Sequence, residues 1–249
     1  HNGSVNNEAA VADSNTVVLA AHKPYLASQT GASTALTPVI NNDVSTKPFS
    51  PYDYDEYDAA DHGGSVYFDG SGDYIETTSS NYALGTSSAF TLELWYYFDE
   101  SRTHTVFDFL NSSNGAVGKL AFTSGNVYLY DGSANILALT RTQVVGSWEH
   151  FCWTRDASNN HVFYINGTQV GTSTASSNID SQTLNFGRRG GSFNSTFMKG
   201  YLSDISLTKG SVTRSSAFTP PTAPLSSSGS ELHIKGTDAS IIDKSQGEI

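Results

Sequence analysis

The stretch Phe90-Thr91-Leu92-Glu93-Leu94-Trp95-Tyr96-Tyr97-Phe98 alternates with period two, so Phe90, Leu92, Leu94, Tyr96 and Phe98 share one face of a strand. That face is expected to be core, with Glu93 and Trp95 turned to the other side. Outward from it, comparable runs fall at 104–110, 119–123, 127–130, 136–140, 148–155, 161–165, 183–186 and 201–208, punctuated by clusters of Gly, Asn, Asp and Ser. None has helical spacing. Asn166-Gly167, between His161-Val-Phe-Tyr-Ile165 and Thr168, supplies two residues tolerant of positive φ, the requirement of a two-residue hairpin turn. Short strands at this spacing with no helices between them predict an all-β chain, a two-sheet antiparallel jelly-roll sandwich with extended terminal arms. Leu92, Leu94, Tyr96, Phe151, Trp153 and Phe186 are its expected buried residues, and Trp95, Trp148 and Trp153 are assigned to sheet packing.

The chain has 249 residues, 37% apolar and 15% charged, enough for one large β domain or two small ones. With 13 Lys+Arg against 24 Asp+Glu, its formal charge of -11 repels polyanions, which argues against nucleic-acid binding and against docking on anionic membranes. The longest smooth apolar run, 16–21 (TVVLAA), is far short of the ~20 residues that span a bilayer. A single cysteine, Cys152, leaves no internal disulfide and no multi-cysteine zinc site.

Four regions are expected. Residues 1–50 are an N-terminal arm or connector, too poor in apolar residues for a core of their own. Residues 51–63 are an acidic loop (PYDYDEYDAADH at 51–62). Residues 64–225 form the sandwich, and 226–249 a C-terminal strand and linker toward a further module. The chain reads as a piece of something longer.

GGSVYFDGSGDYI (63–75), FTLELWYYF (90–98), WEHFCWTRDASNNHVFYINGTQVG (148–171) and GYLSDISLTKG (200–210) together resemble the laminin-G-like, concanavalin-A-like jelly-roll modules, in the order of that family. More narrowly, KPFSPYD (47–53), SLTKGSVTRSSAFTPPTAPL (206–225) and KGTDASIIDKS (235–245) resemble linkers between such modules in structural proteins of tailed, especially marine, bacteriophages. This resemblance implies a virion-surface or extracellular fibre or spike protein acting in attachment, with its own copies or neighbouring virion proteins as partners. The alternatives are a secreted bacterial adhesin module and an accessory domain of a polysaccharide-active enzyme.

Three chemistries are open to such a sandwich. Catalysis is not expected: related glucanases carry alternating carboxylates on one strand (E-x-D-x-E), whereas the acidic cluster here (Asp53, Asp55, Glu56, Asp58) is in the irregular segment and Glu93 stands alone. Cys152, between Phe151 and Trp153 with His150 on its face, reads as a buried apolar cysteine, and there is no G-x-S-x-G elbow. A structural Ca2+ would take Asp69 and Asp204, which in resembling modules come near each other; the alternative is that Asp69 and Asp73 brace a Gly-rich turn and Asp204 faces solvent. Glycan recognition would use Tyr130 and Asp131 in VYLYDG and the loop residues Arg188, Arg189 and Phe193, combining aromatic faces with polar groups near strand ends. Against that, the tyrosines are an ordinary strand face and the arginines a solvated or subunit-contact pair. His104, His150 and His161 lie on separate strands without shared spacing and read as packed or surface histidines rather than ligands.

Overall fold

The computed structural model describes residues 63–236 in full and backbone strands at 39–41, 45–47 and 241–243; most of the expected arm and the acidic loop lie outside the described residues. The strands in chain order are β1 (Val39–Asn41), β2 (Ser45–Lys47), β3 (Ser65–Asp69), β4 (Tyr74–Thr78), β5 (Ala83–Gly85), β6 (Phe90–Phe98), β7 (His104–Leu110), β8 (Ala116–Phe122) and β9 (Asn126–Tyr130). They continue as β10 (Asn135–Thr140), β11 (Trp148–Arg155), β12 (His161–Ile165), β13 (Thr168–Ser173), β14 (Ile179–Asp180), β15 (Thr183–Phe186), β16 (Lys199–Lys209), β17 (Ser230–Gly236) and β18 (Ile241–Asp243). A single 3-10 turn at Ser80–Tyr82 is the helical content of the described residues.

Two antiparallel sheets result. One has seven strands in the order β1-β4-β15-β7-β8-β9-β10. The other has nine, with β13-β12-β11-β6-β16-β17-β18 in line and β3, flanked by β2, on the first half of β16. The expected core residues Leu92, Leu94, Tyr96, Phe151, Trp153 and Phe186 are all fully buried. Trp153 sits at the centre, edge-on to Phe90 at 4.8 Å and layered with Phe107 and Phe163, while its indole N–H donates to His161 Nδ1 at 3.0 Å. Each such side chain contributes about 1.5–3 kcal/mol on burial. Arg155 closes one end of the sandwich. Fully buried, its guanidinium donates to the carbonyls of Leu84, Gly85, Ser88 and Ser177, and burial pulls its pKa down to about 10.

The hairpin turn forms as its sequence requires. Asn166 and Gly167 have φ of 49° and 72°, with Ile165 opposite Thr168. The Asn166 side chain also accepts from His150 N–H and donates to Glu149. A Cβ on Gly167 would lie 1.7 Å from the Phe218 carbonyl oxygen, so the turn is shaped to receive residues 211–225.

Those residues, expected as linker, instead cross the outer face of the nine-stranded sheet. Thr213 N–H donates to Thr91, Arg214 pairs with Glu93 at 3.2 Å, Phe218 N–H donates to the Gly167 carbonyl, and the Phe218 ring packs on His150 and Tyr164. Glu93 faces away from the core as alternation demands, yet it is only 6% exposed because this strap lies over it. The sheet also continues past residue 225. β17 pairs with the second half of β16 and puts Leu232 and Ile234 into the core.

Candidate functional site

On the outer face of the seven-stranded sheet a polar row crosses neighbouring strands in register: Glu76 (β4), Asn185 (β15), Asp108 (β7), Lys119 (β8) and Tyr130 (β9). Each is outward because its neighbours in sequence, among them Ile75, Leu184, Phe107, Phe109, Leu120 and Leu129, fill the core. The loop 187–195, leaving β15, folds back over this row. It can turn because Gly187 has φ +87° and packs where a Cβ would meet the Phe68 ring at 2.4 Å. Arg189 and Ser195 then exchange backbone hydrogen bonds of 2.9 and 3.2 Å, and Gly190 N–H donates to Asp108 Oδ2 at 3.1 Å.

The loop buries Asp108, leaving Oδ1 without a hydrogen bond. Burial is the main cause that raises its pKa to about 6, opposed by the Gly190 N–H and by Lys119, Arg189 and Arg188. Burial and then Arg189 push the Lys119 ammonium down, with Asp108 acting the other way. Lys119 Nζ lies 5.4 Å from the centre of the Tyr130 ring. The Arg189 guanidinium is stacked 3.3 Å from the centre of the Phe193 ring, which is 58% exposed.

Of the predicted glycan contacts, Tyr130, Arg189 and Phe193 therefore border one surface. Arg188 is beside them but engaged: Nε donates to Asn185, one Nη to Asn194, the other to Glu76 at 2.9 Å, and its plane covers Tyr74 at 3.3 Å. Asp131 is turned into a structural role, with Oδ1 accepting from Ser133 and Ala134 and Oδ2 from Ser177. Burial raises its carboxyl, and these bonds outweigh that and hold it below the usual carboxylate range. Asp108, Lys119, Asn185 and Glu76 escaped the sequence reading. Each is a polar residue in an alternating strand, but nothing in one strand says which residue of the next will stand beside it.

The two carboxylates expected for calcium are not brought together. Asp69 pairs in register with Lys199 at one end of the β3–β16 ladder, and Asp204 lies beyond the Leu202–Val66 pair at the other. Asp69 accepts from Ser71 N–H, and Asp73 from Asp69 N–H, bracing the glycine-rich turn. Asp204, expected to face ligand or solvent, is buried at a left-handed φ of 50° where β16 changes partner from β3 to β17. It clamps His233 Nε2 and Leu225 N–H. So placed, the two carboxylates do not share one site, and among the described residues no group of three or more His, Cys, Asp or Glu is arranged to hold a metal.

His104, His150, His161 and Cys152 are interior. His104 stacks on Phe98 at 4.1 Å, His150 lies 3.3 Å from Glu93, and His161 layers with Trp153. Burial drives the Cys152 thiol well up, as does the neighbouring Glu93. A second row missed from sequence crosses the nine-stranded sheet: Tyr67, Tyr201, Tyr97 and Trp148 are register partners, with adjacent rings 4.9–5.7 Å apart.

Two antiparallel sheets around an aromatic core, with a loop-capped polar face, define a lectin-type sandwich. Residues 69–216 match the concanavalin A-like lectin/glucanases superfamily, and since that is more than half of the chain, the protein belongs to that family. Domain 4 of AbnA, a GH43 extracellular arabinanase from Geobacillus stearothermophilus solved in complex with arabinotriose, superposes with a TM-score of 0.52 at 15% identity, over 73% of this chain and 86% of that one. The binding domain of botulinum neurotoxin serotype G superposes with a TM-score of 0.54 at 12% identity, over 74% of this chain but only 45% of that binding-domain chain. At these identities the likeness is one of fold. No curated protein matches the sequence. No helix of the described residues is long and apolar enough to cross a membrane.

Proposed function

We propose that this protein is a non-catalytic carbohydrate-binding module that acts in attachment, displayed on a virion surface or otherwise outside the cell. The observation that carries the reading is the surface that Phe193 and Arg189 of the loop form with Lys119 and Tyr130 of the polar row beneath it. Phe193 is exposed while its guanidinium partner fixes its orientation, and an oriented aromatic beside hydrogen-bond donors is how proteins hold the apolar face and the hydroxyls of a sugar. The arabinotriose complex of the AbnA domain supports carbohydrate as the ligand class for this fold.

Hydrolysis is the weaker reading because its two carboxylates would have to flank a substrate bond. On this face Asp108 is covered by the loop and bound to Gly190, and Glu76 is held by Arg188. The virion placement is supported by the sequence likeness to tailed-phage modules. Attachment suits many copies, since a single shallow sugar site is weak and repetition raises apparent affinity.

The test is a glycan array probed with the chain as a monomer and as a bead-displayed multimer, alongside Phe193→Ala and Arg189→Ala. Binding by the multimer that falls at least tenfold in either variant is expected. A multimer that binds no glycan, or variants that bind like the parent, would remove the site; release of sugar from any bound polysaccharide would remove the non-catalytic assignment.

A further inference from the structure

We infer that the glycan taken at this surface carries a carboxylate, and that Lys119 and Arg189 are the groups that hold it. The inference deepens the carbohydrate-binding reading and rests on it.

The argument begins with which cations already have partners. Among the basic side chains of the described residues, Arg141 pairs with Glu149, Arg188 with Glu76, Lys199 with Glu100 and Arg214 with Glu93, while buried Arg155 is saturated by carbonyls. On the outer face of the seven-stranded sheet the pattern breaks. Neither the Lys119 ammonium nor the Arg189 guanidinium makes a hydrogen bond or ion pair with any described residue, and the Arg189 Nε is buried without an acceptor.

They also stand close enough that Arg189 is one of the causes lowering Lys119. Holding two like charges together, partly withdrawn from water and without an acceptor, is unfavourable unless an anion completes the site. Asp108 is the acid nearest this pair, but its free oxygen lies under the loop and its other oxygen is taken by Gly190. Glu76 is already neutralised by Arg188. One positive charge is therefore left over at this surface, in a chain whose formal charge is -11.

The geometry selects the kind of anion. A planar guanidinium presents parallel N–H groups that match the two oxygens of a carboxylate, and the ammonium adds a point charge. Phe193 and Tyr130 back the two cations with ring faces, so the carboxylate would belong to a ring-shaped ligand resting on aromatic surface. The acidity of the rest of the chain discourages long polyanions and favours a site that reads one carboxylate at a time.

An array that sets uronate- and sialate-bearing glycans beside their carboxyl-reduced counterparts, with dextran sulfate as a further probe, tests this on the full chain in multimeric form. At least one acidic glycan is expected to bind ten times or more tighter than its reduced counterpart. Lys119→Met/Arg189→Gln is expected to abolish that preference with thermal unfolding unchanged. Equal binding of acidic and reduced forms would overturn the inference while leaving the carbohydrate-binding reading intact. Binding that follows charge density alone, strongest to dextran sulfate, would overturn it too, and a chain that binds no glycan would remove both.

Discussion

His104 and His161 are each held as one tautomer by partners on both ring nitrogens. Lys199 N–H and Trp153 Nε1–H donate to the respective Nδ1 atoms, which leaves Nε2–H to donate to the carbonyls of Glu100 and Ala175. A proton on either Nδ1 would break a bond inside the sandwich, and burial is the leading cause that brings both pKa values down to about 4. Between pH 6.5 and 4 the unfolded chain binds protons at these positions that the folded chain refuses, so stability falls as the pH drops through that window. Above pH 6.5 it does not change on their account. At ~1.4 kcal/mol per pH unit, each histidine amounts to roughly 3 kcal/mol across it. Asp108 runs the other way. Its raised pKa of about 6 means the folded state binds the proton more readily, so it gains stability as pH falls from about 6 toward 3.8 and offsets about one histidine. The urea midpoint is therefore expected to fall between pH 7 and 4.5, and His104→Gln/His161→Gln to flatten or reverse that slope. A parent midpoint independent of pH in this range would show that the histidines titrate normally.

At the scale of elements, the strap 211–225 converts an outer sheet face into a second interior. Its hold is modest: the Arg214–Glu93 pair, a few backbone bonds and Phe218 against His150 and Tyr164. Beside it opens a cleft of about 560 Å³ whose lining includes Glu93, Arg214, Lys209 and Leu225. Cys152 stands in register between Glu93 and Tyr164, the residues that Arg214 and Phe218 cover, and is fully buried. Its thiol therefore reports whether the strap is closed. Phe218→Ala is expected to cost about 1–3 kcal/mol locally and to speed the reaction of Cys152 with a thiol reagent at least tenfold, with little change in far-UV circular dichroism. Labelling as slow as in the parent would mean that the strap does not protect this face.

At the scale of the whole molecule, the sandwich is completed by residues far from its middle. β17 arrives after the strap, pairs with β16 and buries Leu232 and Ile234, while Asp204 ties it down through His233. Losing two buried aliphatic side chains alone costs about 3–6 kcal/mol, a large part of the ~5–15 kcal/mol that holds a domain together. A chain ended after Leu225 is expected to be unfolded or aggregated, whereas one that begins at residue 63 and keeps 226–249 retains a cooperative transition. A soluble, cooperatively folding product ending at 225 would show β17 to be dispensable.

Alternation in FTLELWYYF and WEHFCWTR, together with the Asn166-Gly167 turn, determined the class of fold, the buried face of each strand and one hairpin, because all of these depend on neighbours one to a few residues apart. Placement of side chains across strands was decided only by the tertiary structure. The row from Glu76 to Tyr130 joins residues from distant parts of the chain, and its register follows from how the core layers pack rather than from any local pattern. Asp204 illustrates the same limit from the other side: beside Ile205 in a closing strand it reads as a ligand or a solvated residue, yet at a left-handed φ of 50° it is buried between His233 of β17 and Leu225 of the strap. Linker-like residues became a strap because a sheet has two faces. The alternating pattern fills one of them, and only the folded molecule shows what covers the other.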